Sequence, residues 1–565
     1  MNRLARLHIG FLIAYGVLVL RLGQLQVIEG DAYRRLADQN RLRTVPSPAP
    51  RGLIVDRRGR VLATNHAIFR VALVPQELKD LSAVLSRVSL LTGQPVAALQ
   101  HEFERGRSMP FLPVVIVPRV SKEVAIQLEQ ERWRFPGLLV KRDTVRSYPG
   151  GSTAAHLLGY LSQPTSEEMP LLKYYGVRPE MLIGRMGIEQ AFDDALRGRA
   201  GGMVVEVNHR GRQIRVLGRR ASEPGAQIAL TIEQPLQSLI EQVLGDHPGA
   251  CVVLDPYTGA VLAMASTPTF SPEAFATGDR AALSQVLTNP QSPLMNRATM
   301  GVYQPGSIMK LITSAAGLEH HVLTPSTTVV CGGATRIGDR DFHCWNRDGH
   351  GPMILAEALM QSCNVYFMWV GRKAGGASMR EMMERVGFSH RTGWLLEEHA
   401  GHVPTRRLSE GDVAQISIGQ GEVLVTVLQS AVMAGLFANG GWLVQPWVVS
   451  AVGAHRLKPP ARRSVGWSPE TMKAIRVGMK AVVADPFGTG HRAFGQHVSI
   501  AGKTGTAQTH VPGQTHAWFV GFCPIEQPRA AFAILSEYGG SGGDVPAPIA
   551  KAICEEISRS EISDE

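Results

Sequence analysis

Two short stretches of the sequence carry side chains whose types and spacing suit acyl transfer. In GSIMK, Ser307 and Lys310 lie three residues apart at the start of a helical pattern, so the hydroxyl and the amine share one face. A serine hydroxyl is a poor nucleophile at neutral pH, and a desolvated lysine that has lost its proton can act as its base. In Ser-Cys-Asn, Ser362 and Asn364 open a later helix and offer a hydroxyl and an amide to a substrate. The spacing predicts a serine nucleophile activated by a lysine.

A third stretch, AGKTGTAQ, places the cation of Lys503 and the hydroxyls of Thr504 and Thr506 on a predicted strand. Gly505 between them allows close approach of a substrate backbone. Taken singly, each stretch has a plain alternative, because Ser-x-x-Lys occurs by chance on many helices, Ser362 could be a helix cap and AGKTGTAQ a surface turn. The presence of all three in this order favours a catalytic site.

A second constellation consists of Cys331, Cys344, His350 and Cys363. Three thiolates and one imidazole form a complete tetrahedral set for structural zinc, with no position left open for water. The spacing is longer than in a zinc finger, so alternatives stay open. They are a disulfide such as Cys331 with Cys344, free thiols in a loop, or other ligands among Asp341, His343 and Asp348.

The remaining three of the six cysteines are interpreted as structural. Cys251 and Cys523 lie within strand-like apolar text, and Cys554 lies on a terminal helix, where it is expected to be a buried small residue.

The elements that must position the acyl-transfer residues can be located from the apolar pattern. From Gln227 a strand and a helix lead into GACVVLDPYTGAVLAMAS, two apolar runs around a polar turn, which predicts a hairpin. Long Ala/Leu/Met-rich helical text follows, and then the strands AWFVGFCP and AAFAILSEY. We expect an antiparallel sheet flanked by helices over residues 226–558, with a short tail at 559–565. The fold class is α+β.

The first part of the chain has no catalytic-looking cluster. Residues 29–225 mix short strands with amphipathic helices, and RGLIVDRRGRVLATN predicts a hairpin, so this part is expected to be an elongated structural or docking domain. Residues 30–50 are interpreted as a polar helix that runs into a proline-rich linker. The net charge of +10 is spread along the chain without a Lys/Arg block, which argues against a nucleic-acid partner.

The N-terminus, residues 1–28, predicts a membrane anchor. Arg3 and Arg6 precede an apolar run from Ile9 to Leu20, no small-x-small cleavage site follows, and Leu22 and later residues extend the apolar pattern. We expect an uncleaved single-pass anchor in the inner membrane with its basic end in the cytoplasm and the rest of the chain outside. The alternative is a buried N-terminal helix.

The order Ser-x-x-Lys, Ser-x-Asn and Lys-Thr-Gly resembles the signature of penicillin-binding proteins and class A β-lactamases. The sequence resembles class B penicillin-binding proteins over nearly its whole length. CWNRDGHG favours the elongation type, penicillin-binding protein 2, over the septal type. No glycosyltransferase-like segment lies between anchor and first domain, which also fits class B. Further matching text is RGLIVDRRGRVLATN, GRMGIEQAFDDALRG, LMNRATMGVYQPGSIMK, ISIGQGEVLVT and HAWFVGF.

The resemblance implies a dimerisation-type pedestal domain, a transpeptidase domain and D,D-transpeptidation of peptidoglycan. Ser307 would attack the D-Ala-D-Ala amide of a stem peptide, with Lys310 as its base and with Ser362 and Asn364 relaying the proton and binding the peptide. The motif residues Lys503, Thr504 and Thr506 would grip the substrate carboxylate, and the N–H groups of Ser307 and Thr506 would form the oxyanion hole.

The resemblance also implies that β-lactams acylate Ser307 and that the partners are a polytopic glycosyltransferase of the shape, elongation, division and sporulation family and other elongation-complex proteins. Some elongation-type members hold zinc in the matching loop, which supports a structural zinc here and no organic cofactor. A β-lactam sensor without transferase activity is a further alternative, and a hydrolysing β-lactamase is the least favoured.

Overall fold

The computed structural model describes residues 3–31, 33, 42–47, 49–107, 113–172, 174, 177, 181–207, 213–509 and 511–562. These fall into two compact units, each built from separated segments of the chain. The first consists of Met1–Arg51, Asn65–Val145 and Arg197–Gly225, and the second of Gly52–Thr64, Arg146–Leu196 and Ala226–Glu565. The domain boundaries at 28, 225 and 558 stay predictions, and residues 563–565 of the predicted tail lie outside the described residues.

The chain begins with an apolar helix, Arg3–Gly23, that continues into the π-helical turn Gln24–Ile28. The segment His8–Ile28 is long and apolar enough to cross a membrane. Its apolar side chains are exposed, with Phe11 at 77%. The alternative of a buried N-terminal helix is therefore wrong, because such a helix would pack these side chains against the protein.

An antiparallel three-stranded sheet forms one part of the first unit. Gly201–Val207 is its central strand, between Leu42–Ser47 and Gln213–Arg220. Leu42–Ser47 lies in the part of residues 30–50 interpreted as running into a proline-rich linker, so that part of the interpretation was wrong. Residues 30, 31 and 33 are helical, and residues 34–41 of the predicted helix lie outside the described residues. The strand forms through pairing with a segment far along the chain, and its edge position tolerates Pro46.

The rest of the first unit packs three helices on paired strands. Val114–Val120 pairs antiparallel with the end of Val61–Leu73, and Val71, Leu73 and Val88 lie in their common core. The other elements of this part are Pro75–Glu77 (a 3-10 turn), Leu81–Thr92, Val96–Gly106, Lys122–Gln130 and the strand Leu138–Ser147.

The second unit is built on an antiparallel five-stranded sheet. In spatial order its strands are Val261–Thr267, Gly249–Leu254, Ala530–Ser536, Thr515–Cys523 and Ala501–Gln508. The predicted hairpin is formed by the first two. Ala501–Gln508 is an edge strand, so one row of its backbone groups has no strand beside it.

Both faces of this sheet are covered, which explains why its strands are continuously apolar rather than alternating. Along Gly249–Leu254, Val252 faces one hydrophobic core and Val253 faces another. The buried helix Val427–Ala438 covers the first face. The helices Gln234–Leu244 and Pro546–Ile562 cover the second.

The remaining elements of the second unit surround the sheet. The helices are Ala155–Leu158, Met169–Leu172, Gly187–Ala191, Asp193–Arg197, Pro272–Thr277, Arg280–Thr288, Lys310–Glu319, Leu355–Met360, Asn364–Arg385, Glu410–Ser417 and Pro469–Ala484, with the 3-10 turns Gly306–Met309 and His491–Ala493. The short strands are Ile54–Val55, Leu161–Ser162, Ile183–Gly184, Ile228–Leu230, Val329–Cys331, Ala334–Ile337, Arg340–His343, Gly351–Met353, Trp442–Leu443, Val449–Val452, His455–Arg456 and Arg463–Ser464.

A disulfide joins Cys523, at the end of a sheet strand, to Cys554 on the terminal helix. The expectation that Cys554 is merely a buried small residue was therefore wrong. The two residues are 31 positions apart in sequence, and only the packing of the helix on the sheet brings them together. Cys251, Cys331, Cys344 and Cys363 are free, so the alternative disulfide between Cys331 and Cys344 is absent from the described structure.

Candidate active site

Ser307 lies in a tight 3-10 turn, Gly306–Met309, that leads directly into the helix Lys310–Glu319. Gly306 has a left-handed φ of 56°, and its N–H donates to the carbonyl of Gly419 over 2.9 Å. A Cβ on Gly306 would lie only 2.7 Å from the carbonyl oxygen of Thr506. Glycine is therefore required here, because it lets the turn approach the edge strand.

Lys310 is completely buried one helical turn after Ser307. Its Nζ donates to the carbonyl oxygen of Ser362 over 2.7 Å, to the Ser362 hydroxyl over 3.1 Å and to Oδ1 of Asn364 over 2.7 Å. Burial lowers the pKa of Lys310 to about 8. The amine can therefore lose its proton near neutral pH.

Ser362 connects the two buried lysines of the site. Its hydroxyl oxygen also accepts a hydrogen bond from Nζ of Lys503 over 2.9 Å. Burial, followed by the positive charge of Lys310, lowers the pKa of Lys503 well below its usual value. Ser362 has a left-handed φ of 52°, an uncommon conformation for serine. With both lone pairs occupied, its O–H is left to donate to a third group.

Asn364 is the first residue of the helix Asn364–Arg385. Its side-chain oxygen accepts from Lys310, and its amide nitrogen donates to the carbonyl of His343 over 3.4 Å. Lys310 therefore fixes the orientation of the Asn364 side-chain amide, because an ammonium group can only donate hydrogen bonds and must face the amide oxygen.

The Lys-Thr-Gly stretch lies on the edge strand Ala501–Gln508, as the sequence predicts. Thr504 shares a 2.7 Å hydroxyl hydrogen bond with Thr489, and Thr506 is exposed. A Cβ on Gly505 would lie 2.9 Å from the Trp518 side chain and 3.1 Å from the carbonyl oxygen of Pro305. Glycine is thus needed at position 505 so that the strand can pack against the segment that leads into the Ser307 turn. Close approach of a substrate, predicted from the sequence, would be a second reason for a glycine here.

The predicted residues converge on one cleft of about 1210 Å³. Ser307, Ser362, Asn364, Thr504 and Thr506 line it, while Lys310 and Lys503 lie beneath its surface. Other lining residues were not predicted as site residues, although Gln304, Trp345 and Gln420 lie in the stretches that carry the family resemblance. Among these lining residues are Gln304, Phe342, Trp345, Gln420, Thr489 and Ser541.

A buried ion pair anchors the segment before Ser307 and was also missed. Arg297 donates to the Glu537 carboxylate over 3.0 Å, and the Tyr303 hydroxyl donates to the same oxygen over 2.6 Å. The Trp518 indole donates to the carbonyl of Gln304 over 3.0 Å. These contacts join residues more than 200 positions apart, which no local pattern reveals.

The four predicted zinc ligands are brought together beside the cleft. One donor atom from each of Cys331, Cys344, His350 and Cys363 lies within 4.8 Å of the other three. Sγ of Cys344 is 3.6 Å from Nδ1 of His350, and the buried Nε2 of His350 has no hydrogen-bond partner among the described residues. The arrangement has the size and donor types of a tetrahedral metal site.

The cysteine cluster is connected directly to the predicted catalytic residues. The backbone N–H of Asn364 donates to Sγ of Cys344 over 3.4 Å, and Cys363 caps the helix that Asn364 begins. A hydrogen bond from the Cys363 thiol lowers the pKa of Cys344.

The alternative ligands lie outside the cluster. Asp341 pairs with Arg336 at 3.5 Å, and His343 and Asp348 are exposed and do not belong to the group of donor atoms that converge. The sequence alternatives for the metal ligands are therefore not supported by the geometry.

Comparison with known proteins gives consistent matches over the chain. A family model described as the penicillin-binding protein transpeptidase domain matches residues 249–555, and a penicillin-binding protein dimerisation domain matches residues 46–230. The peptidoglycan D,D-transpeptidase MrdA of Haemophilus influenzae is 31% identical, covering 97% of this chain and 90% of the relative.

Two solved structures are similar in fold. Penicillin-binding protein 2 of Helicobacter pylori, in complex with MreC, has a TM-score of 0.80 and 26% identity, covering 92% of this chain and 99% of that chain. A chain in the structure described as "Structural coordination of polymerization and crosslinking by a peptidoglycan synthase complex" has a TM-score of 0.75 and 30% identity, covering 98% of this chain and 97% of that chain.

Proposed function

Because the chain belongs to the penicillin-binding protein family, we propose that it is a peptidoglycan D,D-transpeptidase of cell-wall elongation that works through an acyl-enzyme on Ser307. The observation that carries the mechanism is the Ser362 hydroxyl, which binds two buried lysines beside the cleft that Ser307 lines. The similarity to MrdA and to penicillin-binding protein 2 favours the elongation role over the septal alternative.

In the acylation step, the Ser307 hydroxyl oxygen attacks the carbonyl carbon of the D-Ala-D-Ala peptide bond while its proton passes to the neutral amine of Lys310. The backbone N–H groups of Ser307 and Thr506 stabilise the tetrahedral oxyanion. The C–N bond then breaks, and the departing amine takes up a proton that Lys310 delivers through the Ser362 hydroxyl. The products are an ester on Ser307 and free D-Ala.

In the transfer step, the amine of a neighbouring stem peptide attacks the ester carbonyl. Lys310 takes the proton of that amine, a new peptide bond forms, and the Ser307 oxygen leaves and regains a proton. Water in place of the amine would hydrolyse the ester, which is the carboxypeptidase reaction. Both outcomes use the same residues and differ only in the acceptor.

Substrate binding is assigned to the edge strand and to Asn364. An extended stem peptide can pair with the open backbone edge of Ala501–Gln508, since no strand of the sheet lies beside it. Lys503, Thr504 and Thr506 supply hydrogen-bond donors for the terminal carboxylate, and Gly505 keeps the strand close to Ser307. The amide of Asn364 binds the peptide backbone. β-Lactams would acylate Ser307 from the same position.

A structural zinc held by Cys331, Cys344, His350 and Cys363 fits the donor types and their spacing. Such a metal takes no part in acyl transfer, because all its positions are occupied by protein. It would hold the loop that carries Cys344 against the turn that presents Ser362 and Asn364.

The N-terminal helix anchors the enzyme in the inner membrane as a single span, with the catalytic unit on the outer side. The partners that fit this placement are a polytopic glycosyltransferase and other proteins of the elongation complex. The solved complexes of penicillin-binding protein 2 with MreC and of a peptidoglycan synthase support such partners.

The proposal is tested with labelled penicillin and with cross-linking assays on donor and acceptor stem peptides. The full chain should take up one label, Ser307→Ala should take up none, and both should melt at the same temperature. Labelling of Ser307→Ala would remove Ser307 as the nucleophile. Labelling of the wild type without cross-linked product would identify a β-lactam sensor instead of a transferase.

A further inference from the structure

A second cavity, of about 420 Å³, lies at the start of the helix Pro469–Ala484 and shares no lining residue with the catalytic cleft. Its walls are mostly apolar and include Trp467, Met472, Val477 and Ile525. Val477 is 51% exposed, so an apolar side chain faces solvent at this site. The volume lies within the range of small-molecule sites.

Positive charge surrounds these apolar walls. Lys473, Arg476 and Lys480 line the cavity, and no carboxylate does. The charge of Glu526 reaches Arg476 and Lys480, and its carboxylate is hydrogen-bonded to the hydroxyl of Ser499. Glu470 lies in the first turn of the same helix but does not line the cavity. An anion in the cavity would therefore meet an excess of positive charge.

The guanidinium of Arg476 caps the C-terminal end of the helix Val427–Ala438. It donates to the backbone carbonyls of Phe437, Ala438 and Ile525, and it lies 5.0 Å from the ring of Phe522. The helix end and Glu526 offset part of its charge, so the lysines carry most of the positive charge that an anion would meet.

We propose that this cavity binds a small amphipathic carboxylate, that is, an aromatic or branched aliphatic body carrying one negative group. The apolar body would pack against Met472, Val477 and Ile525, and the carboxylate would face the lysines at the rim. An inorganic anion would not pack against the apolar walls, and a neutral apolar compound would not pair with the positive charge.

The test uses the full chain in lipid nanodiscs and measures phenylbutyrate binding by saturation-transfer NMR, with empty nanodiscs as the blank. Phenylbutyrate should bind, and phenylbutanol, phenylbutylamine and inorganic phosphate should bind at least roughly tenfold more weakly. Equal binding of phenylbutanol would show an apolar groove only, and equal binding of phosphate would show a charged patch only. Either result would overturn the proposal.

Variants locate the binding and keep the fold intact. The double change Lys473→Glu and Lys480→Glu should weaken binding roughly tenfold, since both side chains are on the surface rim. Lys79→Glu with Lys458→Glu makes the same change in net charge at exposed sites elsewhere and should leave binding unchanged. Unchanged binding in the Lys473/Lys480 variant would place the ligand elsewhere.

Discussion

Lys310 and Lys503 donate hydrogen bonds to the same atom, the hydroxyl oxygen of Ser362, over 3.1 Å and 2.9 Å. Both ammonium groups are fully buried. Because both bind the same oxygen atom, the distance between the two nitrogen atoms cannot exceed the sum of these two hydrogen-bond lengths. Two positive charges at such a distance without solvent disfavour each other, so one lysine is driven to give up its proton. Burial and this repulsion favour the neutral amine, so a lysine that is ordinarily a charged ammonium can act as a base.

Acylation by penicillin should rise with pH through a midpoint near the pKa of Lys310, about 8. The sign follows from the direction of the shift, because a lowered pKa makes the neutral, basic amine available at lower pH. The second-order acylation rate should climb about tenfold per pH unit below that value and level off above it. Stopped-flow measurements with a fluorescent penicillin would show the profile, and a flat profile would contradict the role of Lys310.

Replacing Ser362 by alanine should slow acylation about 10²- to 10³-fold with little loss of stability. The change removes the oxygen that binds both lysines and the O–H that relays the proton. Ser284→Ala, at an exposed serine on a surface helix, is the matched control and should behave as the wild type. Acylation within about threefold of the wild-type rate in Ser362→Ala would reject the relay.

If the cluster holds zinc as proposed, Cys344→Ser should remove the metal, lower the melting temperature and slow acylation while Ser307 remains the labelled residue. The expected cause is positional, because Sγ of Cys344 accepts from the backbone N–H of Asn364, which follows the turn of Ser362. Native mass spectrometry counts the metal. Cys251→Ser changes a buried thiol outside the cluster and should keep the zinc. If the wild-type protein carries no zinc and its mass is two hydrogen atoms lower than expected, a disulfide within the cluster is present instead.

Breaking the disulfide with Cys523→Ala and Cys554→Ala should lower the free energy of unfolding by about 3–4 kcal/mol, the loop-closure cost for a bridge of this span. Zinc content and the acylation rate at low temperature should not change, because the bridge joins the terminal helix to the sheet face opposite the helix Val427–Ala438. Denaturant unfolding followed by circular dichroism measures the loss. Stability equal to that of the wild type would show that helix packing alone holds the terminus.

Glu537→Gln should slow acylation about tenfold. The carboxylate binds Arg297 and Tyr303, and the segment after Tyr303 leads to Ser307. Tyr303→Phe should have a smaller effect, since the ion pair stays. A displaced nucleophile lowers the acylation rate constant at saturating penicillin, while initial binding of penicillin stays the same. Weaker binding with an unchanged rate constant would assign Glu537 to substrate recognition.

The sequence predicted the helix start that carries Ser307 and the strand that carries Lys503, because each lies in a local pattern. The catalytic roles of these residues stay predictions. The four cluster residues were also identified from residue type alone, and the structure brings them together.

Contacts between segments that are distant in sequence could not be predicted from local sequence patterns. Cys523 and Cys554 meet only when the terminal helix packs on the sheet, and Leu42–Ser47 becomes a strand only by pairing with Gly201–Val207. The hydrogen bond between Lys503 and Ser362 spans 141 positions. Local periodicity carries no information about which distant segments become neighbours.

The separate fates of the cysteines would set an order of events during biogenesis if the chain is exported as proposed. The thiols of Cys331, Cys344 and Cys363 would then reach an oxidising compartment before those of Cys523 and Cys554. An oxidant that acts on the first thiol pair it meets would trap the wrong bridge and misplace Ser362. Early capture of a metal ion by the cluster would shield these thiols until the correct pair emerges, so metal supply would govern the yield of active enzyme.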